Sequence, residues 1–563
     1  MATPQLIHQL PYIDLVLVIS IAVQYRWLTR KFRRFVLTHS PPPKSLETLA
    51  RKALGEGRDQ QAYQLLGEIL QQQPDHAEAH YLLSYIAHKY GNYQKEVELL
   101  QKASIINSEN LLYKGYLARA LVLCGEMNSA YQLLQTIDTV ATNNPELIDV
   151  VATTYNRLNL YTQASKCYQR LVEIDVSSAL VWFNLSTCYK YLGDFSQAKK
   201  ALEKAVELKP NYEKAQAALT LLSSMDCRAK NSEDKRVKYL TRMLEASHNP
   251  EAQLHIAHAL SKELEAGGHY SQSFSVLQKY KAKQKAAIGY SFDRDKPILD
   301  KLIAKAPYPC KPADGVENIF VTGMPRSGTT LVDRILCGSD EVISAGELQC
   351  FRTSIKKVLA DTSSNFITPS CLAALGDDKC IEVGRLYQHN TRYLQGSKKI
   401  LLDKLPVNIL LADQLIHCLK NSVVVCLDRN PLDTIVSNYR QLFSFADGCY
   451  SYSLSLEDTA LFYVSFYQLT RRLKRDYPER FFLLNYENLV QNQQEEAKQL
   501  FEFCQLPWSR EYLNIENNTA PVATASALQV RQKIYTRSIE QWRHYDDQLL
   551  GVKAILDAHD IAY

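Results

Sequence analysis

A chain of 563 residues is too long for one hydrophobic core and predicts several domains. Its 65 basic and 60 acidic residues leave a net charge of only +5, with no dominant polybasic block in the interior, which argues against nucleic acid as a partner. Thirteen cysteines, scattered with no Cys-x-x-Cys pair, fit a reducing compartment better than an oxidising one and offer no zinc spacing.

Near the N-terminus, residues 12–25 are apolar apart from Asp14, Ser20 and Gln24, and Arg26, Arg30, Lys31, Arg33 and Arg34 come directly after. As a helix, that run reaches about 21 Å, short of the roughly 30 Å hydrocarbon core of a bilayer. The charges lie after the apolar run, the reverse of a secretory signal peptide. Were the run to insert, the positive-inside rule would leave the rest of the chain in the cytoplasm. Residues 1–42 are therefore expected to form either a weakly membrane-associated segment or a docked soluble helix, on a cytoplasmic protein. Pro41-Pro42-Pro43 then stiffens the link into the next segment of the chain.

From residue 43 the sequence repeats every 34 residues. Gly57, Gly91, Gly125, Asn159 and Gly193 share one phase; Ala62, Glu96, Ala130, Ala164 and Ala198 share another; Pro74 and Pro210 share a third. A glycine or asparagine turn between two helices, then a small residue where they cross, is the tetratricopeptide pattern. The copy with Trp182, Gly193, Ala198, Ala205 and Pro210 is nearest the consensus. Five copies are expected over residues 43–212, and Leu254–Lys281, with Gly267-Gly268 as its turn, reads as a degenerate further helix pair. Residues 43–285 thus predict an α-helical solenoid whose groove holds a protein or peptide partner, with a spacer or dimerisation platform as the alternative. His76 and His80 share a helix face there but have no third ligand beside them, so no metal site is expected.

After a linker at 286–314 the character changes. Ile319-Phe320-Val321 reads as a buried strand ending at Gly323, and Thr329 to Leu336 as a helix. Gly323 and Gly328 permit a tight loop whose amides converge on an anion at the helix N-terminus. Thr329 stands where the Walker pattern has lysine, which argues against ordinary ATP or GTP hydrolysis, and Arg326 offers a charge inside the loop. About a hundred residues on, Ser422–Leu427 is a second buried-strand run, followed by Asp428-Arg429-Asn430-Pro431. Asn430 suits an N-cap, Pro431 the first helical position, and Asp433 the first turn. Arg429 and Ser437, about two turns apart, can grip a phosphate.

The loop Pro325-Arg326-Ser327-Gly328-Thr329-Thr330 resembles the 5′-phosphosulfate loop of sulfotransferases that use 3′-phosphoadenosine-5′-phosphosulfate (PAPS), and Arg429 with Ser437 resembles their 3′-phosphate motif. The Arg326 form of the loop, with Ser344-Ala345-Gly346-Glu347 some twenty residues later, looks like the tyrosylprotein branch. That resemblance implies Glu347 as general base, with His389 and His417 as rival bases outside any motif. Asp403-Lys404-Leu405-Pro406 resembles the family segment whose lysine approaches the transferring group. Asn485-Tyr486-Glu487-Asn488-Leu489, after the strand Phe481–Leu484, looks like the element that places Tyr486 near the nucleotide. Thr524–Arg531 resembles the closing loop, with Ser526 as its hydroxyl and Arg531 or Lys533 adding charge.

The expectation is thus a tetratricopeptide superhelix joined, at 315–563, to a P-loop-like α/β domain with a central parallel sheet. It would move a sulfuryl group from PAPS, without a metal, to an acceptor hydroxyl, with protein or peptide tyrosine leading and a saccharide or small phenol open. Basic residues after the apolar segment and the lack of paired cysteines depart from the secretory members of that branch. A non-catalytic repeat scaffold and a nucleotide kinase or NTPase are the readings from other classes.

Overall fold

The computed structural model describes residues 41–563 apart from 224–232, 362, 364–365, 367, 373–374, 446–447, 525–526 and 528. The apolar segment 12–25 therefore lies outside the described residues, among which no helix is long and apolar enough to cross a membrane.

First helices of successive pairs begin at Pro43, Ala77, Leu111, Pro145 and Ala179, and second helices at Asp59, Tyr93, Met127, Tyr161 and Phe195, always 34 residues apart. Each pair turns through a left-handed residue: φ is 73°, 70°, 75°, 62° and 88° at Gly57, Gly91, Gly125, Asn159 and Gly193. Glycine has no Cβ to clash there, and asparagine is among the few other residues that tolerate it. The small-residue phase is equally strict, since Ala62, Ala130, Ala164 and Ala198 are fully buried. Glu96, the exception, is fully buried too, and its charge is met by Arg119 at 2.8 Å and His88 at 2.9 Å. His76 and His80 are used locally: the His76 ring accepts from the Ala79 amide, and the His80 ring bonds the Pro74 carbonyl.

The chain forms two compact units that divide between Ala120 and Leu121. In the second, helix Glu213–Ser223 begins 34 residues after Ala179, so the phase runs one helix beyond the five expected copies. Pro250–Ala266 and Tyr270–Ile288 then form the further helix pair, turning at Gly268. Within the expected linker, helix Lys296–Ile303 buries Leu299 and Leu302.

The C-terminal region is built on five parallel strands: β1 Asn318–Gly323, β2 Val342–Gly346, β3 Ile400–Asp403, β4 Ser422–Asp428 and β5 Phe481–Asn485, in the order β2-β3-β1-β4-β5. Every residue of β1 is buried, as a central parallel strand requires. Its side chains alternate between two cores. Phe320 joins Leu401, Val424 and helix Leu456–Asp476 on one face; Ile319 and Val321 join Leu402, Val425 and helix Thr329–Leu336 on the other. The chain leaves β1 towards β2, returns to β3, and crosses to β4 on the opposite side. That reversal at β1 makes the carboxyl ends of β1 and β4 the crevice where such sheets bind ligands.

Candidate functional site

The loop after β1 is held in an unusual backbone. Arg326 has φ 67°, and the flanking Gly323 and Gly328 have φ 143° and 108°. At Gly328 a Cβ would come within 2.4 Å of the Tyr486 ring, and at Gly323 within 2.9 Å of Ser327 Oγ. Glycine at both positions lets the chain curl tightly under that ring before helix Thr329–Leu336 starts. The loop after β4 locks onto it. Arg429 Nη1 donates to the Arg326 carbonyl at 2.8 Å and Nη2 to the Ser538 carbonyl at 2.5 Å, while its guanidinium lies 4.6 Å from the Tyr486 ring centre. Asn430 caps helix Pro431–Tyr439 by accepting from the Asp433 amide, and Asn438 on that helix donates to the Pro325 carbonyl at 2.7 Å.

Between these loops opens a cleft of about 450 Å³. Arg326, Arg429, Arg440, Lys262, Lys533 and Arg537 line it, and among the described residues no carboxylate does. Burial, then the neighbouring Arg429 charge, lowers the Arg326 guanidinium to about 10. Burial, then Arg440, lowers the Lys262 ammonium to about 8. Glu265, behind the wall, pairs with Arg440 at 2.5 Å and Lys262 at 3.0 Å, one carboxylate for two cations. Arg429 Nε and Ser327 Oγ are buried with no hydrogen-bond partner. Unmatched donors, surplus positive charge and a glycine-shaped loop together fit a ligand carrying more than one phosphate-like group.

A second cluster sits at the ends of β2 and β3. Lys404 Nζ contacts Glu347 Oε1 at 2.6 Å; the lysine side chain is 2 % exposed and the glutamate 34 %. Asp403, fully buried beside them, accepts from the Tyr387 hydroxyl at 3.2 Å, and burial raises its carboxyl to about 8. Tyr161 and Tyr191, from the fourth and fifth repeats, pack edge to face at 4.9 Å near Glu347. Burial, then the Glu347 charge, pushes the Tyr191 phenol up to about 12.

Of the residues singled out in the sequence, Arg326, Gly328, Thr330, Arg429, Ser437 and Tyr486 line the cleft, and Pro325, Ser327 and Thr329 complete its loop. Glu347 and Lys404 come together as a pair beyond the cleft lining. Ser526 lies outside the described residues. Arg531 faces away from the cleft: its guanidinium covers Gly193 and donates to the Tyr191 and Ala520 carbonyls, whereas Lys533 lines the cleft. His417 stacks on Tyr308 at 4.0 Å and His389 is exposed on helix Asp377–Gln395; neither lines the cleft. Lys262, Arg440 and Arg537 carry no local sequence signal. Lys262 sits in a repeat helix, where lysine ordinarily marks a solvated face.

Residues 318–510 match the sulfotransferase family model, and residues 48–109 and 179–220 match tetratricopeptide repeat models. The chain thus joins tetratricopeptide repeats to a C-terminal sulfotransferase domain, whose matched span ends before Ile515 and the residues between Gln529 and Gln541 that wall one side of the cleft. An uncharacterized protein of Aquifex aeolicus (strain VF5) is 26% identical over 378 residues, 65% of this chain and 48% of that protein, so the match spans about half of that relative. Among solved structures, a sulfotransferase domain from the curacin biosynthetic pathway is 17% identical, covering 45% of this chain and 99% of its own, with a TM-score of 0.29. YrrB, described as a tetratricopeptide protein with an unusual peptide-binding site, is 14% identical over 34% of this chain and 96% of its own, with a TM-score of 0.28.

Proposed function

We propose that the C-terminal domain transfers a sulfuryl group from PAPS to a hydroxyl, and that the acceptor is a tyrosine on a protein or peptide recruited by the repeats. The observation that carries this reading is the pair of anion-holding loops facing each other at the reversal point of the sheet, with Arg429 Nη1 bonded to the Arg326 carbonyl at 2.8 Å. In this assignment the loop amides and Arg326 hold the 5′ end of the donor, Arg429 and Ser437 hold the 3′-phosphate, and Tyr486 packs beside the nucleotide. When bound, PAPS supplies an activated sulfur–oxygen bond to phosphate.

Lys404 fixes Glu347 through Oε1, and Oε2 takes the proton of the acceptor hydroxyl. The acceptor oxygen bonds to sulfur as the bridging bond breaks, and the electron pair leaves with the phosphate, where Arg326 and the loop amides hold the charge. The Tyr161–Tyr191 aromatic pair near Glu347 favours a flat phenolic acceptor over a saccharide. We place the enzyme in the cytoplasm, with residues 12–25 either weakly membrane-associated or docked as a soluble helix, on the order of charges around that segment.

Sulfur-35-labelled PAPS offered with a tyrosine-containing peptide, a small phenol and an oligosaccharide tests the assignment. Label is expected on the peptide, and Glu347→Gln is expected to lower kcat by about a hundredfold or more. Label on the oligosaccharide alone would reassign the acceptor, and donor binding with no transfer to any of the three would contradict the reaction.

A further inference from the structure

Three consecutive repeat turns of the second unit touch the sulfotransferase domain. At Gly125 a Cβ would meet Thr353 at 3.4 Å, and the adjacent Glu126 pairs with Lys357. Asn159 donates from Nδ2 to the Ala345 carbonyl at 3.1 Å. At Gly193 a Cβ would fall 2.3 Å from the Arg531 guanidinium carbon, and the Tyr191 carbonyl accepts from the Val522 amide at 2.8 Å. A 34-residue period returns these turns to one edge of the repeats. That edge meets helix Cys350–Val358, the end of β2, Val522 and Arg531.

Asn159 is the one turn residue of the five that is not glycine, at a φ of 62° where glycine is easier. Its side chain is held on both sides. Tyr161 donates its hydroxyl to Asn159 Oδ1 at 2.7 Å, which leaves the amide nitrogen facing Ala345. The preceding Leu158 carbonyl accepts from the Tyr393 hydroxyl at 3.0 Å, and the Tyr393 ring stacks on Tyr131 of the third repeat at 5.3 Å. Gly346 comes after Ala345 with φ 70°, and its carbonyl accepts from the Lys404 amide at 2.9 Å. Glu347 comes next in the chain. A glycine hinge directly before a functional carboxylate leaves that side chain free to wander unless the backbone in front of it is tied.

We propose that Asn159 is a positioning residue for Glu347: the fourth repeat turn ties down the Ala345-Gly346 backbone, so the repeats form part of the transfer site as well as a recruiting arm. This rests on Glu347 being the base. Position 159 is suited to a clean test, because glycine at the same phase folds the four sister turns. Asn159→Gly therefore keeps the turn and removes the tie, and Asn159→Asp keeps the size but exchanges the donor for an acceptor.

In the full chain, both variants are expected to lower kcat for transfer from PAPS to the tyrosine peptide by about tenfold while leaving KM for PAPS within about twofold. Amide exchange at 344–348 is expected to quicken in Asn159→Gly, with that of β1 unchanged. Wild-type kcat, or unchanged exchange at 344–348, in Asn159→Gly overturns the proposal. A fully active Glu347→Gln overturns the assignment of the base instead, and the exchange measurement reads the tie in either case.

Discussion

Lys262 carries a charge that the cleft itself controls. Burial and the neighbouring Arg440 lower its ammonium to about 8 from the ordinary 10.5, so near pH 8 a sizeable fraction is neutral. An anion in the cleft favours the protonated form. Binding of 3′,5′-adenosine bisphosphate should therefore take up a proton and weaken as pH rises from about 7 to 9, and Lys262→Met should flatten that slope in a calorimetric titration. Asp403 makes folding stability itself depend on pH. Burial raises its folded pKa to about 8 from 3.8, so between those values the native protein keeps a proton that the unfolded chain has lost. Stability falls as pH rises through that window, and Asp403→Asn should remove this component in urea titrations at pH 5 and 8. Arg326, Arg429 and Ser437 are legible in the sequence because each sits in a strand–loop–helix pattern. Lys262 is not, because the other residues that line the cleft, Arg326 the first of them, come from distant parts of the chain.

At the scale of elements, the legible pieces are those whose boundaries are written in residue type. β1, β4 and β5 are apolar runs closed by Gly323, Asp428 and Asn485, and helix Thr329–Leu336 starts after a glycine that frees its first turn. β2 and β3 carry no such signal. β2 has Ser344 and Gly346 within five residues, β3 is four residues long, and both are specified by parallel pairing with distant partners. The helix at Glu213 keeps the period but carries no turn signal, because position 227, next on the turn phase, is cysteine. The loop itself invites a direct test. Gly328→Ala places a Cβ 2.4 Å from the Tyr486 ring at a φ of 108°, and should cost about 1–3 kcal/mol in denaturant unfolding. It should also weaken bisphosphate binding, because pushing on the Tyr486 ring disturbs the Arg429 guanidinium, 4.6 Å from the ring centre.

Across the second unit, no local pattern reports that the late repeats pack on the sulfotransferase domain, since those contacts join residues more than 150 positions apart. Lys281, on helix Tyr270–Ile288, has no exposed surface and donates to the Gln441 carbonyl at 3.1 Å and the Ser453 carbonyl at 2.7 Å, above the Tyr439 ring. Lys281→Ala would strand two buried acceptors and open a cavity, and should destabilise by about 2–4 kcal/mol in urea unfolding. Arg440–Glu265, joined by the Tyr545 hydroxyl at 3.0 Å, links the same repeat pair to the cleft wall and the C-terminal segment. The nucleotide assignment depends on all these parts meeting in one cleft, and calorimetric titration of the full chain with 3′,5′-adenosine bisphosphate, beside Mg-ATP and an Arg429→Ala control, tests it most directly. The bisphosphate should bind, raise stability by about 2.7 kcal/mol at a hundredfold its Kd, and lose its affinity in Arg429→Ala. Binding of Mg-ATP in its place, or bisphosphate binding indifferent to Arg429, would contradict the sulfotransferase assignment.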